Sequence, residues 1–467
     1  MTRPVRAFVA LGGNVGDRRA RLEGGLSRLA ATPGVRVAAV SAAYENPAVG
    51  GPPQDVFWNA VAEAWTTLPS HDFWRRLRAI EHAEGRVRAE RHGPRTLDLD
   101  LLAYDDVVQH DAELTLPHPD AVARAFTLQP WSDIAPDAVV PGTGAPVVVH
   151  LARLLGREPE AFDALTPVAL LRPTSSAAAP RPTVLKDRAA LSAWRGSVSG
   201  TVGFVPTMGA LHEGHAALVR RARAACDRVL ASVFVNPLQF GPSEDFSRYP
   251  RTFEADLDLL AREGADAVYA PDAGDLYPEG FSTAVEVGGP SQGFEGAARP
   301  GHFRGVATVV AKLLQRTRAD QAFFGRKDAQ QAAVIRRLVR DLDLPTEVVV
   351  APTVRDLDGL ALSSRNRYLS PGQRTVALGL PAALDRGRRA AAGGEREASR
   401  ILGAVLARLA ADPGRTVEYV GLVDAEGYRP VERLGDAPAL LVAAVRVGTT
   451  RLLDNAWVAA PAPEPAP

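Results

Sequence analysis

The chain has 467 residues, 46% hydrophobic and 23% charged, which is enough for two to four separately cored units and ordinary for a soluble globular protein. Lys plus Arg equals Asp plus Glu at 54 each, so no whole-chain field favours nucleic acid or an anionic membrane as partner, and any anion site must be built locally. One cysteine, Cys226, excludes an internal disulfide; with no signal-peptide core and no bilayer-length apolar run, a cytoplasmic location is the expectation.

Apolar periodicity predicts a strand over Val5–Leu11, a helix over Arg18–Ala31 through Leu22, Leu26 and Leu29, and strands over Val35–Tyr44 and Phe57–Trp65. A helix over Ser70–Glu84, capped by Ser70, and a strand over Thr96–Tyr104 complete a compact α+β sandwich. Leu170–Thr183, LLRPTSSAAAPRPT, is small, Pro/Ser-rich and aperiodic, so the major boundary falls there. Beyond it, a strand over Val202–Val205, a helix over His215–Arg228 and a strand over Val229–Val235 form a βαβ unit. A strand over Ala322–Phe324, a helix over Lys327–Leu342 and a strand over Glu347–Val350 continue the rhythm of a doubly wound parallel sheet. The division predicted is 1–165, a linker over 166–182, a nucleotide-binding domain over 183–355, a lid subdomain over 356–456 and a disordered tail over 457–467. A flexible linker argues for independent modules.

Two regions carry chemistry. In Gly85–Asp100, GRVRAERHGPRTLDLD, the period of a strand puts Leu97, Leu99 and Leu101 on a core face and Asp98 and Asp100 together on the other, with Arg86, Arg88, Arg91 and Arg95 just upstream. Carboxylates beside guanidinium groups suit a magnesium polyphosphate, although Asp-x-Asp alone is more often a solvated strand face. In Pro206–Val219, PTMGALHEGHAALV, His212 and His215 stand at a helix start, where backbone N–H groups and the helix dipole favour phosphate; two capping histidines are the plainer reading of that segment alone. Arginine supplies all but three of the basic residues, so Lys327 in FFGRKDAQQ stands out. LSSRNRYLS, Leu362–Ser370, offers adjacent hydroxyls and Arg365 as a phosphate loop.

The first region resembles the 6-hydroxymethyl-7,8-dihydropterin pyrophosphokinase family, together with LGGNVGDR (Leu11–Arg18), FWNA (Phe57–Ala60) and LPHPDAVARAF (Leu116–Phe126). The resemblance implies a ferredoxin-like α+β fold, Asp98 and Asp100 as magnesium ligands, and Arg86, Arg88, Arg91, Arg95 and Arg124 on ATP phosphates with His118 nearby. It also implies Phe57 and Phe126 around the pterin, Asn59 and Asn46 on its edge, and Glu81 in the nucleotide pocket. His92 and Asn46 depart from that family's usual Trp and Thr.

The second region resembles the pantothenate synthetase family, supported by FVNPLQF (Phe234–Phe240), YPRT (Tyr249–Thr252), RPGHF (Arg299–Phe303) and VRVGTTRLLDN (Val445–Asn455). This implies a Rossmann-like α/β nucleotidyltransferase domain with a smaller α+β C-terminal subdomain, and a homodimer through the C-terminal half. It implies joining of pantoate to β-alanine through pantoyl adenylate, with ATP as cosubstrate. His212, His215, Lys327, Ser363, Ser364 and Arg365 would meet phosphates and Asp328 the nucleotide. Gln239 and Gln331 would bind pantoate, Met208 would line the pocket, Asn236 would sit near the amine, and Asp256 would hold magnesium. One alternative keeps the first half as a binding or assembly scaffold without turnover, which the retained Asp98 and Asp100 oppose. A second, adenylation of a tRNA-linked substrate, finds no basic stripe to support it.

Overall fold

In the computed structural model, which describes residues 4–86, 93–173, 180–241 and 246–460, the first half is built on an antiparallel sheet. Its strands are β1 (Val5–Gly13), β2 (Val35–Val40), β3 (Ala42–Asn46), β4 (Phe57–Thr66) and β5 (Asp98–Tyr104). A two-residue pair follows, β6 (Gln109–His110) with β7 (Thr115–Leu116), and β8 (Thr166–Leu170) closes the far edge. The order is β5-β1-β4-β3-β8, with β2 also on β4. One face buries Leu97, Leu99 and Leu101 against helices Arg18–Ala30 and Ser70–Ala83, through Leu22, Leu26, Phe73 and Leu77. Helices Ala125–Ile134 and Val147–Arg157 cover the other, where Trp131 packs on Phe8 at a ring separation of 5.2 Å.

Three local readings change. The strand expected over Val35–Tyr44 breaks at Ser41, whose hydroxyl accepts the Val61 N–H. Pro69, not Ser70, precedes the second helix, and the Ser70 hydroxyl turns away to donate to Gln109. The first residues of the expected linker pair with β3 as strand β8, so the first half runs to Leu170; residues 174–179 lie outside the described residues.

The second half holds six parallel strands: β9 (Thr183–Leu185), β10 (Val202–Thr207), β11 (Arg228–Val233), β12 (Ala267–Tyr269), β13 (Gln321–Gly325) and β14 (Glu347–Ala351). They lie in the order β14-β13-β10-β11-β12-β9. From β10 the chain winds toward β11 and from β13 toward β14, so the crevice between the carboxyl ends of β10 and β13 is the switch point at which such sheets bind ligands. A meander of β15 (Arg415–Asp424), β16 (Ala439–Val447) and β17 (Thr450–Val458) packs on helices Gly379–Ala392 and Ala398–Ala410. The tail expected from 457 thus begins inside a strand, and Ala459 and Ala460 are buried; residues 461–467 lie outside the described residues. Among the described residues no helix is long and apolar enough to cross a membrane.

The halves are packed together. Helix Glu213–Ala225 lies on β2, where Arg36 donates to the carbonyls of Arg223 and Cys226 at 3.2 Å each. From the same helix Arg221 reaches Glu63 of β4 at 2.6 Å and the Ile134 carbonyl at 2.7 Å. Glu63, 2% exposed, also accepts from Arg6 at 2.8 Å; burial pushes its carboxyl up, but Arg221 and Arg6 outweigh that and hold it low. Helices Val147–Arg157 and Gly379–Ala392 touch at Gly156, where a Cβ would stand 2.2 Å from the Ala392 carbonyl oxygen. Only glycine permits that approach. Ala392 and Ala459 belong to the same core as Trp131 and Leu151. Independent modules are therefore not what the chain forms: linker composition reports the path between two surfaces, not whether those surfaces fit.

Candidate active sites

In the first half, helix Ser70–Ala83 and β5 bring Arg78 and Glu81 to Asp98 and Asp100. Asp98 is buried and bonded by Arg86 on one oxygen and Arg95 on the other. Burial alone would raise its carboxyl, and the Arg95 and Arg86 charges turn it below the carboxylate range. Asp100 is raised, first by burial and then by Asp98, with His118 and Arg78 opposing; Arg78 stands 3.5 Å from it. The opening loop holds this segment in place, because Asn14 and Arg95 exchange backbone and side-chain bonds at 2.9–3.0 Å. Two carboxylates on one face, Asp100 raised by burial and by its neighbour, are hard oxygens of the kind Mg²⁺ takes beside phosphate, with both Asp98 oxygens engaged by Arg86 and Arg95 in this structure.

Glu81 lies elsewhere than expected. It is 2% exposed and accepts the Leu99 N–H at 2.7 Å, Arg78 at 2.8 Å and Arg86, so it anchors β5 and two arginines instead of facing a nucleotide. Asn46 and Asn59 join at 2.6 Å, which ties the edge of β3 to that of β4. Phe57 and Phe126 are half-buried, each with a guanidinium on its ring, Arg95 at 5.9 Å and Arg124 at 5.7 Å. Arg124 pairs with Asp120, and the His118 ring accepts the Asp120 N–H at 3.2 Å. Arg88, Arg91 and His92 lie outside the described residues. Arg78 was missed by sequence reasoning, though its place three residues before Glu81 on a helix face is a signal for the pair.

In the second half, a cavity of about 1180 Å³ opens at the switch point. Met208, His212, His215, Asn236, Gln239, Lys327, Asp328, Gln331, Ser363, Ser364 and Arg365 all line it. The turn after β10 places the histidines. Gly209 takes φ +82°, and its absent Cβ would lie 3.0 Å from Asp256 Oδ2. His212 caps helix Glu213–Ala225, its Nδ1 accepting the Gly214 N–H at 3.1 Å; His215 Nδ1 faces the His212 N–H at 3.3 Å. The rings stand 4.2 Å apart. Burial pushes His212 down to about 4 and His215 down to about 3, with Lys327 adding to the first and His212 to the second. Both imidazoles are neutral near pH 7, and with Nδ1 accepting, Nε2–H is the donor each has left. Capping and ligand contact are thus compatible duties here.

Asp256 is not placed to hold a metal. It is 2% exposed, and its oxygens accept the Ala210 N–H at 3.0 Å, the Leu211 N–H at 2.8 Å and the Thr252 hydroxyl at 3.1 Å. Its carboxylate is spent on shaping the histidine turn. Asn236, 1% exposed, donates to Gln239 Oε1 at 3.0 Å and the Gly305 carbonyl at 3.2 Å and accepts from Tyr277 at 2.7 Å; it positions Gln239, whose amide reaches the Met208 sulfur at 3.0 Å. Lys327 lies 3.3 Å from Asp328, which burial raises but Lys327, Arg365 and His302 bring low. The Ser363 hydroxyl caps the turn of Arg365 at 3.3 Å. Three lining residues were not singled out as site residues. Arg299 and His302 converge on the Gln239 carbonyl at 3.3 and 2.9 Å, and Asn455 holds the carbonyls of Arg326 and Lys327 at 2.8 and 3.1 Å. Their signals were RPGHF and the end of VRVGTTRLLDN.

A parallel sheet that gathers two neutral imidazoles, a lysine and a Ser-Ser-Arg turn at one cavity defines a phosphate-handling α/β enzyme, with a second carboxylate and arginine site in the preceding domain. Residues 182–457 match the family model of pantoate-beta-alanine ligase, and the chain belongs to that family. Residues 8–136 match the model of 7,8-dihydro-6-hydroxymethylpterin-pyrophosphokinase, so the chain is a fusion of the two enzymes. It is 55% identical over 263 residues to the pantothenate synthetase of Acidobacterium capsulatum, covering 56% of this chain and 88% of that protein. It is 51% identical over 272 residues to the pantothenate synthetase of a Roseiflexus species, covering 58% and 98%. A crystal structure of pantothenate synthetase from Thermus thermophilus superposes with a TM-score of 0.56 at 48% identity, over 59% of this chain and 98% of that one.

Proposed function

We propose that one chain carries out two ATP-dependent reactions. In the second half, a pantoate carboxylate oxygen attacks the α-phosphorus of ATP; the bond to the bridging oxygen breaks, pyrophosphate leaves, and β-alanine nitrogen then attacks the acyl carbon to expel AMP. The observation that carries this reading is the pair of backbone-tied imidazoles sharing a cavity with Lys327. Their Nε2–H groups and the Lys327 ammonium supply donors for phosphoryl oxygens without any proton transfer. Gln239 and Gln331 are suited to pantoate, and Ser363, Ser364 and Arg365 to the polyphosphate.

In the first half, the hydroxymethyl oxygen of the dihydropterin attacks the β-phosphorus, and AMP leaves. Asp98 and Asp100 would hold magnesium, which neutralises the polyphosphate when bound. Arg86, Arg95 and Arg124 orient phosphate oxygens, Phe57 and Phe126 stack the flat ring, and the Asn46–Asn59 pair reads its edge. The clustering of these carboxylates and arginines weighs against a scaffold without turnover.

The antiparallel sheet with helices supports a ferredoxin-like architecture, and the parallel sheet a Rossmann-like nucleotidyltransferase. A homodimer through the second half is part of this reading, which sedimentation of the full chain tests; a monomer at micromolar concentration refutes it. The single unpaired thiol fits a reducing compartment, and a cytoplasmic location is tested by fractionation of the source cells; recovery outside the cytoplasmic fraction refutes it. For the two reactions, the test is to assay the full chain with each substrate set. Asp98→Ala removes pterin diphosphate formation and spares pantothenate; His215→Ala does the reverse. Either substitution abolishing both, or neither, overturns the assignment.

A further inference from the structure

We propose that Asp137, a residue of the first half, is a positioning residue of the ligase reaction: through Arg326 it fixes the turn that presents Lys327 to the phosphates of ATP. Lys327 must meet those phosphates for Asp137 to matter, so the role of Asp137 rests on that reading. Arg326 and Lys327 are neighbours on the short turn Arg326–Asp328, between β13 and helix Ala329–Asp341. Lys327 lines the large cavity, while Arg326 lines a second cavity of about 330 Å³ walled by residues of both halves, among them Asp137 and Trp457.

The turn has no cap of its own. Gly325, which precedes it, has no side chain to offer, and the Asp328 side chain makes no capping bond to the helix that follows. Tertiary contacts therefore decide how the turn sits. Asn455 donates to the carbonyls of Arg326 and Lys327 at 2.8 and 3.1 Å, the Arg326 guanidinium carbon lies 5.0 Å from the Trp457 ring centroid, and Arg326 Nη2 donates to Asp137 at 2.7 Å. The first two contacts come from β17 and the third from the first half. It is the one ion pair of Arg326 among the described residues. Arg326 is 6% exposed, so its charge needs that acid: burial pushes its pKa down, Asp137 opposes this, and Arg336 and Arg221 push the same way as burial.

Asp137 is itself held in place. The backbone on either side is pinned, because the Val148 N–H donates to the Pro136 carbonyl and the Val147 N–H to the Ala138 carbonyl, both at 2.9 Å. Burial would raise the Asp137 carboxyl, and Arg326 holds it below its usual range. A rigid loop thus offers a charged oxygen to a guanidinium with no other ion pair. Without that charge Arg326 is buried and uncompensated, so it moves toward water, and the backbone one residue from Lys327 moves with it. Because Lys327 serves the nucleotide, the loss falls on ATP and not on pantoate.

The test is steady-state kinetics of the full chain in both reactions. The Asp137 side chain is 45% exposed, so Asn is accommodated there. Asp137→Asn raises the ligase KM for ATP about fivefold to tenfold, leaves the KM for pantoate within about twofold and spares the pterin reaction. Asp137→Glu, which keeps the acid, stays within about threefold of the native chain. Arg326→Gln raises the KM for ATP by a similar factor, and the double variant is no worse than either alone, because the two residues act as one tether. Asp163→Asn is the matched control: Asp163 also joins the halves, to Arg389 of helix Gly379–Ala392 at 2.8 Å, and its loss leaves the KM for ATP unchanged. Native ATP kinetics in Asp137→Asn or in Arg326→Gln, additive effects in the double variant, or a raised KM for ATP in Asp163→Asn overturns the role of Asp137. Lys327→Ala separates that failure from a deeper one: an unchanged KM for ATP there refutes the phosphate role of Lys327 itself, whereas a raised one beside native kinetics in Asp137→Asn refutes Asp137 alone.

Discussion

Arg221→Leu tests how the halves are joined. Glu63 is 2% exposed and has two guanidinium partners, Arg221 at 2.6 Å and Arg6 at 2.8 Å; Arg221 also satisfies the Ile134 carbonyl. Leucine keeps part of the aliphatic stem but leaves a buried carboxylate short of a partner, a loss of about 3–5 kcal/mol when a buried pair is broken. Arg6 remains, so the lower end, about 3 kcal/mol, is the expectation. The assay is urea unfolding of the full chain followed by tryptophan fluorescence. The pH dependence gives a second handle. In the native chain the Glu63 pKa is lowered, so its contribution is present above the unfolded value and is lost as pH falls through the folded one. In the variant burial dominates and the folded pKa rises, so the folded state takes up the proton first and the gap to the native chain narrows from pH 7 toward 5. Glu63→Leu with Arg221→Leu recovers most of the loss, because no buried carboxylate is left stranded and Arg6, 31% exposed, can turn to water. A single-variant cost under about 1 kcal/mol, or a double variant as unstable as the sum of its parts, refutes the reasoning.

Neutral imidazoles give a pH prediction. With folded values of about 4 for His212 and about 3 for His215, against an ordinary 6.5, the unfolded chain protonates first, so stability declines as pH falls below about 6.5 and levels off under the folded values. Histidine-labelled NMR shows neither ring titrating between pH 5.5 and 8; a midpoint near 6.5 for either contradicts the tautomer assignment. Asp256→Ala lowers ligase kcat by about tenfold or more by loosening the histidine turn, and extra Mg²⁺ does not restore it; rescue by magnesium would return Asp256 to metal binding. Asn455→Ala frees the carbonyls of Arg326 and Lys327, raises KM for ATP in the ligase reaction and leaves the pterin reaction within about twofold, at a stability cost of about 1–3 kcal/mol; unchanged ATP kinetics would show that Lys327 needs no such tether.

What could be read from sequence was what is local in it. Asp98 and Asp100 share a face because a strand has period two, and His212 and His215 share a turn because three residues separate them at a helix start. Partners that are distant backbone groups could not be read. The nucleotide role of Glu81 and the metal role of Asp256 came from the family resemblances, and nothing near them in sequence shows that Glu81 accepts the Leu99 N–H or that Asp256 accepts the Ala210 and Leu211 N–H groups. Asn236 likewise serves Gln239 and Gly305. The interface through Arg221, Arg326 and Gly156 required two surfaces to be seen together. The composition of Leu170–Thr183 says only that the chain there forms no core of its own.

The two reactions break different bonds of the same nucleotide, and following the β-phosphorus separates them. With β-labelled ATP and the dihydropterin, the full chain should put the label into an organic diphosphate and release no free pyrophosphate; with pantoate and β-alanine, all of the label should leave as pyrophosphate. Free pyrophosphate in the first reaction, or label retained on ADP in either, would contradict the account.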